Sequence, residues 1–274
     1  MLKNKSGSSE TRRYDANYGN FRSKLYAEIR REAYGEDIGQ NSWLTASEHD
    51  KFLSWLEVSG STKLLDVACG AGGPALRTAA MSGCFVIGVD IHEQAIRAAN
   101  SLAAERRLAE RTRFQIVDAG KPLPFENASF DVITCIDAIN HIPERRNAFL
   151  EWARLLKPGG KILFTDPITV TGALTDTEIK IRSRSGFYLF VPEGLDERLL
   201  GECGLLLLKR ENATPNMAET AERRFTAREA RKGALAEIEG KKGFEEQQEF
   251  LRTAGKIAKE NRLSRFAYLA EKNP

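Results

Sequence analysis

The sequence predicts an α/β fold: a doubly wound, mostly parallel sheet with N-terminal helices and a helical cap. Three observations predict it. Between residues 63 and 168, short apolar runs alternate with longer segments of helical periodicity, the pattern of βαβ units. The glycine cluster "CGAGG" (69–73) separates the first apolar run from the first of those helices. Asp66, Asp90 and Asp118 fall in or near the ends of the first three runs, the end at which open α/β sheets bind ligands.

Residues 1–13 are polar and read as disordered. From Tyr14 to about Leu56 the periodicity is helical, interrupted at Gly35 and Gly39. "TASE" (45–48) has the form of a capping box, with Thr45 as N-cap and Glu48 at N3. "KLLDVA" (63–68) is the first strand and "PALRTAAMS" (74–82) the next helix, with Pro74 suited to its first turn. "FVIGVD" (85–90) is the second strand, followed by a helix over 93–108. "RFQIVDA" (113–119) and "FDVITCI" (130–136) are the third and fourth. "KPGG" (157–160) stops a helix over 145–156, and "KILFTDP" (161–167) is the fifth strand. A variable, partly aromatic stretch (170–192), a helix (193–203) and a sixth strand (205–210) come next. Two helices then cover 217–260, with apolar positions Phe225, Leu235, Ile238, Phe244, Leu251 and Ile257. "SRFAYLA" (264–270) supplies the last strand. The expected organisation is a tail and helical lid (1–56), a core (57–214), a cap insertion (215–261) and a final core strand (262–274).

Composition narrows the function classes. The chain has 274 residues and an apolar fraction of 42%, enough to bury a sizeable core. With 41 basic and 38 acidic residues the net charge is +3, too small to draw the protein to nucleic acid or an anionic membrane. No apolar run reaches the roughly 20 residues of a membrane helix. The N-terminus "MLKNKSGSSE" lacks the apolar region of a signal peptide. The four cysteines (Cys69, Cys84, Cys135, Cys203) show no CxxC spacing, which fits reduced thiols, no metal site and a cytoplasmic location.

The glycine cluster satisfies Gly70-x-Gly72-x-x-Ala75, a spacing that also occurs in dinucleotide-binding loops. Asp66, four residues before the first glycine, argues against a pyrophosphate, which a carboxylate repels. A cationic ligand would favour it. Asp90 suits the two hydroxyls of a ribose, and Asp118 an exocyclic amine. S-adenosylmethionine has an ammonium, a ribose and an adenine, and no phosphate.

"LLDVACGAGG", "VIGVDI", "VDAGKPLPF", "SFDVITCIDAINHI" and "LLKPGGKILFTD" together resemble the successive motifs of class I S-adenosylmethionine-dependent methyltransferases. The resemblance spans about residues 60–168 and implies a Rossmann-like, seven-stranded sheet whose last strand is antiparallel. It further implies that Asp66 and Gly70 surround the methionine end, Asp90 holds the ribose, Ile91 packs on adenine, and Asp118 with Ala119 reads the base. Ala68 and Gly72, and Ile136 and Asp137 after strand four, complete the implied cofactor contacts. "DAINH" resembles the corresponding segment of phosphoethanolamine N-methyltransferases, and the family likeness extends to sarcosine-type enzymes. There the histidine acts with a tyrosine from an N-terminal helix. His141 is therefore either a base or orienting group for the acceptor, or a residue that fixes the turn before Pro143. Asp137 and His141 are four apart and share a face if the segment is helical. Tyr34 is the candidate partner, with Tyr14, Tyr18 and Tyr26 also nearby in sequence. His49 and His92 read as surface residues.

The stretch after strand five should line the acceptor side. Arg182 and Arg184 either pair with a carboxylate or phosphate or are solvated. Tyr188, beside Phe187, either packs or offers an aromatic face to an amine. The leading expectation is methyl transfer to nitrogen or oxygen of a small molecule, with no nucleic-acid or membrane partner. A nucleic-acid methyltransferase of the adenine-N6 type would carry an Asn/Asp-Pro-Pro-aromatic loop after strand four, where this chain has "IDAI"; its "TDPI" follows strand five. A nicotinamide oxidoreductase is permitted by the glycine spacing alone, and a non-catalytic S-adenosylmethionine-binding subunit is a third alternative. No motif specifies the acceptor or the oligomeric state.

Overall fold

The computed structural model describes residues 18–184 and 186–273, so the expected disorder of residues 1–13 and the position of Tyr14 lie outside the described residues. Two helices come first, α1 (Lys24–Tyr34) and α2 (Ala46–Leu56). The core then runs β1 (Lys63–Val67), α3 (Gly73–Ser82), β2 (Phe85–Asp90), α4 (Glu93–Glu105), β3 (Thr112–Ile116), β4 (Phe130–Ile136), α5 (Arg145–Leu155) and β5 (Leu156–Val170). After β5 come α6 (Asp176–Arg182), β6 (Val191–Pro192), α7 (Leu195–Glu202) and β7 (Leu205–Asn212). Helices α8 (Thr214–Glu229) and α9 (Lys232–Lys259) separate β7 from β8 (Leu263–Lys272). Gly240, at φ 76°, kinks α9.

The sheet order is β3-β2-β1-β4-β5-β8-β7, with the two-residue β6 paired to β5 off this path. Strands β1 to β5 pair in parallel, and β8 is antiparallel to both β5 and β7. This is the seven-stranded arrangement expected, extended by β6. Side-chain alternation explains the double winding. Leu64, Val86 and Val132 pack on one face with Phe52, Leu76 and Ala99 from α2, α3 and α4. Their successors Leu65, Ile87 and Ile133 pack on the other with Phe149 and Trp152 of α5 and Leu200 of α7. Both faces of each strand are apolar because both are covered.

Two local expectations are corrected. "KPGG" does not separate helix from strand: Phe130 pairs with Leu156 and Val132 with Lys161, so residues 157–160 bulge from a strand that has already begun. "TASE" is half a capping box. The Thr45 hydroxyl accepts from the Glu48 N–H at 3.3 Å, but the Glu48 carboxylate is drawn to Arg265 at 2.7–2.8 Å. The full reciprocal box is at Thr175 and Glu178, opening α6.

Candidate active site

The crossovers deliver their loops to one end of the sheet, and there lies a cavity of about 360 Å³, within the size range of small-ligand sites. Asp66, Ala68 and Gly70 line it from β1 and its loop, Asp90, Ile91 and His92 from the end of β2, and Asp118 and Ala119 from the loop after β3. Ile136, Asp137 and His141 line it from the end of β4, and Phe187 from the segment beyond α6. The lid contributes Tyr18, Gly39, Asn41 and Ser42.

The acidic side chains are set by local backbone. Asp90 is buried, and its two oxygens accept from the Gly70 N–H (2.8 Å) and the His92 N–H (2.9 Å). One carboxylate thus ties the glycine loop to the turn after β2, and each oxygen keeps a second lone pair. Asp66 accepts from the Thr134 hydroxyl at 2.7 Å. Burial, reinforced by the charge of Asp90, still pushes its carboxyl up to about 7. Burial likewise raises Asp90. Neither acid has an arginine or lysine partner among the described residues, so a cationic ligand group would supply what the protein does not. Asp118 lies two residues beyond β3 rather than ending it. It is part-exposed and pairs with Lys121 at 3.3 Å. Ile91, at 51% exposure, presents bare apolar surface to the cavity between these acids. The residues therefore fit a ligand with an ammonium, hydroxyls and a flat base.

Glycines in the loop have different jobs. Gly70 has φ +56° and lies against Tyr18: a Cβ there would stand 2.9 Å from the Tyr18 hydroxyl. Gly72, expected at the ligand, does not line the cavity. It packs on Ala99 and Phe114, each 2.9 Å from where its Cβ would be. A Cβ on Gly73 would meet the Ile38 and Gly39 carbonyls at 2.3 Å. That glycine admits the lid backbone.

Asp137 and His141 do not share a helical face. Asp137 sits at φ +53°, a left-handed value uncommon outside glycine, and only Ile139–His141 form a single 3-10 turn. The Asp137 carboxylate turns inward, accepting from Arg265 Nε at 2.6 Å, the Thr165 hydroxyl at 2.7 Å and the Trp43 N–H at 2.9 Å. The fully buried Arg265 guanidinium also holds Glu48. His141 is fixed separately. Its Nδ1 lies 2.9 Å from the Phe187 carbonyl, an acceptor, so Nδ1 carries the proton and Nε2 is the basic nitrogen. Tyr188 abuts the ring edge-on, 4.6 Å between centroids. Burial holds the imidazole below its ordinary pKa.

Other expected residues lie elsewhere. Tyr34 is outside this cavity; its hydroxyl donates to the Ser42 carbonyl at 2.7 Å. Among the described residues the tyrosine at the site is Tyr18, pushed above its usual range by burial and then by Asp90. Arg182 is not solvated: it is buried, with its guanidinium 4.7 Å from the Phe250 ring centre and 5.7 Å from that of Trp43. Arg184 pairs with Glu249 on the cap at 2.6 Å. His49 is buried, within 2.9 Å of the Thr78 hydroxyl, and His92 lines the cavity. Asn41 and Ser42 were missed, and Tyr18 was named only as one tyrosine among several, because the lid carries no motif. Its only signal was a polar run beside two loop glycines.

Residues 59–192 match a family model described as a methyltransferase domain. The chain is 30% identical over 154 residues to the 27-O-demethylrifamycin SV methyltransferase of Amycolatopsis mediterranei, covering 53% of this chain and 56% of that protein. It spans about half the length of the curated relatives it matches. The cyclopropane synthase MmaA2 of Mycobacterium tuberculosis superposes with a TM-score of 0.82 at 17% identity, covering 98% of this chain and 100% of that one. A phosphoethanolamine N-methyltransferase of Haemonchus contortus, in complex with S-adenosylhomocysteine, gives 0.79 at 20%, covering 95% of this chain and 61% of that one. At such identities the structural likeness speaks for the fold alone. Residues 59–192, just under half of the chain, are thus similar to a methyltransferase domain, and the chain as a whole shares the Rossmann-like fold of these structural neighbours.

Proposed function

We propose that this protein is an S-adenosylmethionine-dependent methyltransferase acting on nitrogen or oxygen of a small-molecule acceptor. The observation that carries the reading is the pair of buried carboxylates, Asp66 and Asp90, facing one cavity with no arginine or lysine partner among the described residues. A pyrophosphate would meet repulsion there, which disfavours a nicotinamide cofactor. An ammonium and a ribose would not.

In this reading Asp66 and Gly70 hold the amino-acid end of the cofactor, Asp90 the ribose hydroxyls, and Ile91 with Asp118 and Ala119 the adenine. Ala68 and Ile136 complete the wall. The cofactor supplies a methyl group bonded to positively charged sulfur. The acceptor's lone pair forms a bond to that carbon while the carbon–sulfur bond breaks towards sulfur, and the acceptor loses a proton. Because charge vanishes at sulfur, alignment and exclusion of water matter most. His141 Nε2 takes or guides the acceptor proton, with Phe187 and Tyr188 fixing the ring. Tyr18 takes the place proposed from sequence for Tyr34. Asp137 acts through Arg265 and the lid rather than on the acceptor. The free, buried state of all four cysteines supports a cytoplasmic location. Among the described residues no helix is long and apolar enough to cross a membrane.

Calorimetric titration with S-adenosylhomocysteine and with NADH separates the classes; binding of NADH alone sinks the proposal. Given an acceptor from a labelled-cofactor screen, His141→Ala should lower kcat by about 10²–10⁴ while leaving cofactor affinity unchanged. An equal loss of both would make His141 a turn-former. The acid limb of kcat should lie below the ordinary histidine range, since the imidazole stays neutral to lower pH.

A further inference from the structure

A second cavity, of about 160 Å³, lies behind the lid between α1 and the cap helices. Three arginines border it: Arg30, Arg224 and Arg228. Two are already neutralised. Arg30 is bidentate to Asp37 at 2.7 and 3.0 Å, and Arg228 donates to both oxygens of Glu239 at 3.1 and 2.6 Å. Glu239 also accepts from the Tyr26 hydroxyl. Arg224 has no ion pair or hydrogen bond among the described residues. Its guanidinium lies 5.8 Å from the ring centre of Tyr34 and 5.4 Å from that of Trp43, contacts that stack a cation without using its in-plane donors. The other walls mix apolar Phe21, Ile29 and Ile238 with the amides of Asn20, Gln40, Asn41 and Gln247.

We propose that Arg224 binds the anionic end of the methyl acceptor, which is therefore a small organic oxyanion, a carboxylate or phosphate ester. This rests on the methyltransferase reading and adds the substrate class to it. Asn41 lines both cavities, and the side chains of Asn41 and Tyr18 are hydrogen-bonded to each other, so one residue pair forms the partition. The second cavity is smaller than the ~300 Å³ at which drug-sized sites begin. On this proposal the anionic end occupies the second cavity, and the nucleophilic end lies on the side of Asn41 that faces the first. Arg182 and Arg184, suggested by sequence for this role, are held against Phe250 and Glu249 instead.

The test uses the full chain loaded with S-adenosylhomocysteine, titrated with 4-hydroxybenzoate, phenyl phosphate and the neutral 4-hydroxybenzamide. At least one anion should bind more tightly than the amide, and which one distinguishes carboxylate from phosphate. Arg224→Gln should weaken that anion by at least about tenfold, Arg224→Lys by less, and neither should alter the amide or S-adenosylhomocysteine. Equal binding of anions and amide by the unsubstituted protein, no anion binding, or anion binding indifferent to Arg224→Gln overturns the proposal. The first two need no variant to fold. Failure of the unsubstituted protein to bind S-adenosylhomocysteine overturns the methyltransferase reading instead.

Discussion

The two walls of the cavity at the strand ends are built on opposite principles. On the sheet side, Asp66, Gly70, Asp90 and Ile91 come from two adjacent strands and the loops that follow them, and Asp90 bonds two of those loops directly. On the lid side, Gly39, Asn41 and Ser42 belong to a segment held by partners far away in sequence. Trp43 donates to Asp137, and Glu48 meets Arg265 across a separation of 217 residues. The sheet wall is specified by short motifs, the lid wall by tertiary contacts that reach from the second helix to the last strand. The binding site is therefore a local device closed by a non-local one.

Removing Arg265 should break that contrast most sharply. Arg265→Met leaves Glu48 and Asp137 buried without their cation, a change expected to cost about 3–5 kcal/mol. Arg184→Ala, which removes a part-exposed pair with Glu249, should cost no more than about 1 kcal/mol. Urea denaturation of both variants checks the ordering. Equal costs would mean that the lid is not anchored through the last strand.

This division also explains what was legible. Strand alternation gave the sheet because both faces are covered, and the "DVACGAGG" and "GVDI" stretches gave Asp66, Gly70, Asp90 and Ile91 as residues lining the cavity, since their placement there depends on neighbours in sequence. Gly72 was misassigned because spacing cannot tell a glycine facing a ligand from one facing Phe114. Tyr34 and Tyr18 are indistinguishable by pattern; only the path of the lid brings Tyr18 onto Gly70. Asp137 and His141 looked like an i,i+4 pair, but the left-handed turn at Asp137 sends its carboxylate to Arg265. His49 looked superficial because no local signal records that α2 presses it against Thr78.

Within the sheet wall, Asp90 and Asp118 should differ. Asp90 is buried and joins two loops, so Asp90→Ala is expected to weaken S-adenosylhomocysteine binding by about 1–3 kcal/mol. Asp118 is part-exposed and shares its charge with Lys121, so Asp118→Ala should cost less than about 1 kcal/mol. Calorimetric titration of both variants decides. The reverse order would move the main polar recognition from ribose to base.

A dependence on pH sharpens the assignment of Asp66. In the ligand-free protein its carboxyl titrates at about 7, raised from 3.8 by burial first and the charge of Asp90 second. A group raised in this way favours the folded state in its protonated form, and that stabilisation is lost as pH rises from the unfolded value through 7. Stability alone cannot isolate it, because Asp196, buried beside Asp166, is also raised to about 7. Cofactor binding isolates it, since only Asp66 of the two lines the cavity. A ligand ammonium favours the carboxylate, so binding below pH 7 should release a proton, and affinity should rise with pH by up to about tenfold per unit before levelling above 7. S-adenosylhomocysteine keeps the ammonium and lacks the sulfonium charge, so it should show the full slope if Asp66 meets the amino group. Calorimetry in buffers of different ionisation enthalpy counts the proton, and Asp66→Asn should abolish both the count and the slope. A slope that survives Asp66→Asn would assign the proton to Asp90, and with it the cationic end of the ligand to the second strand.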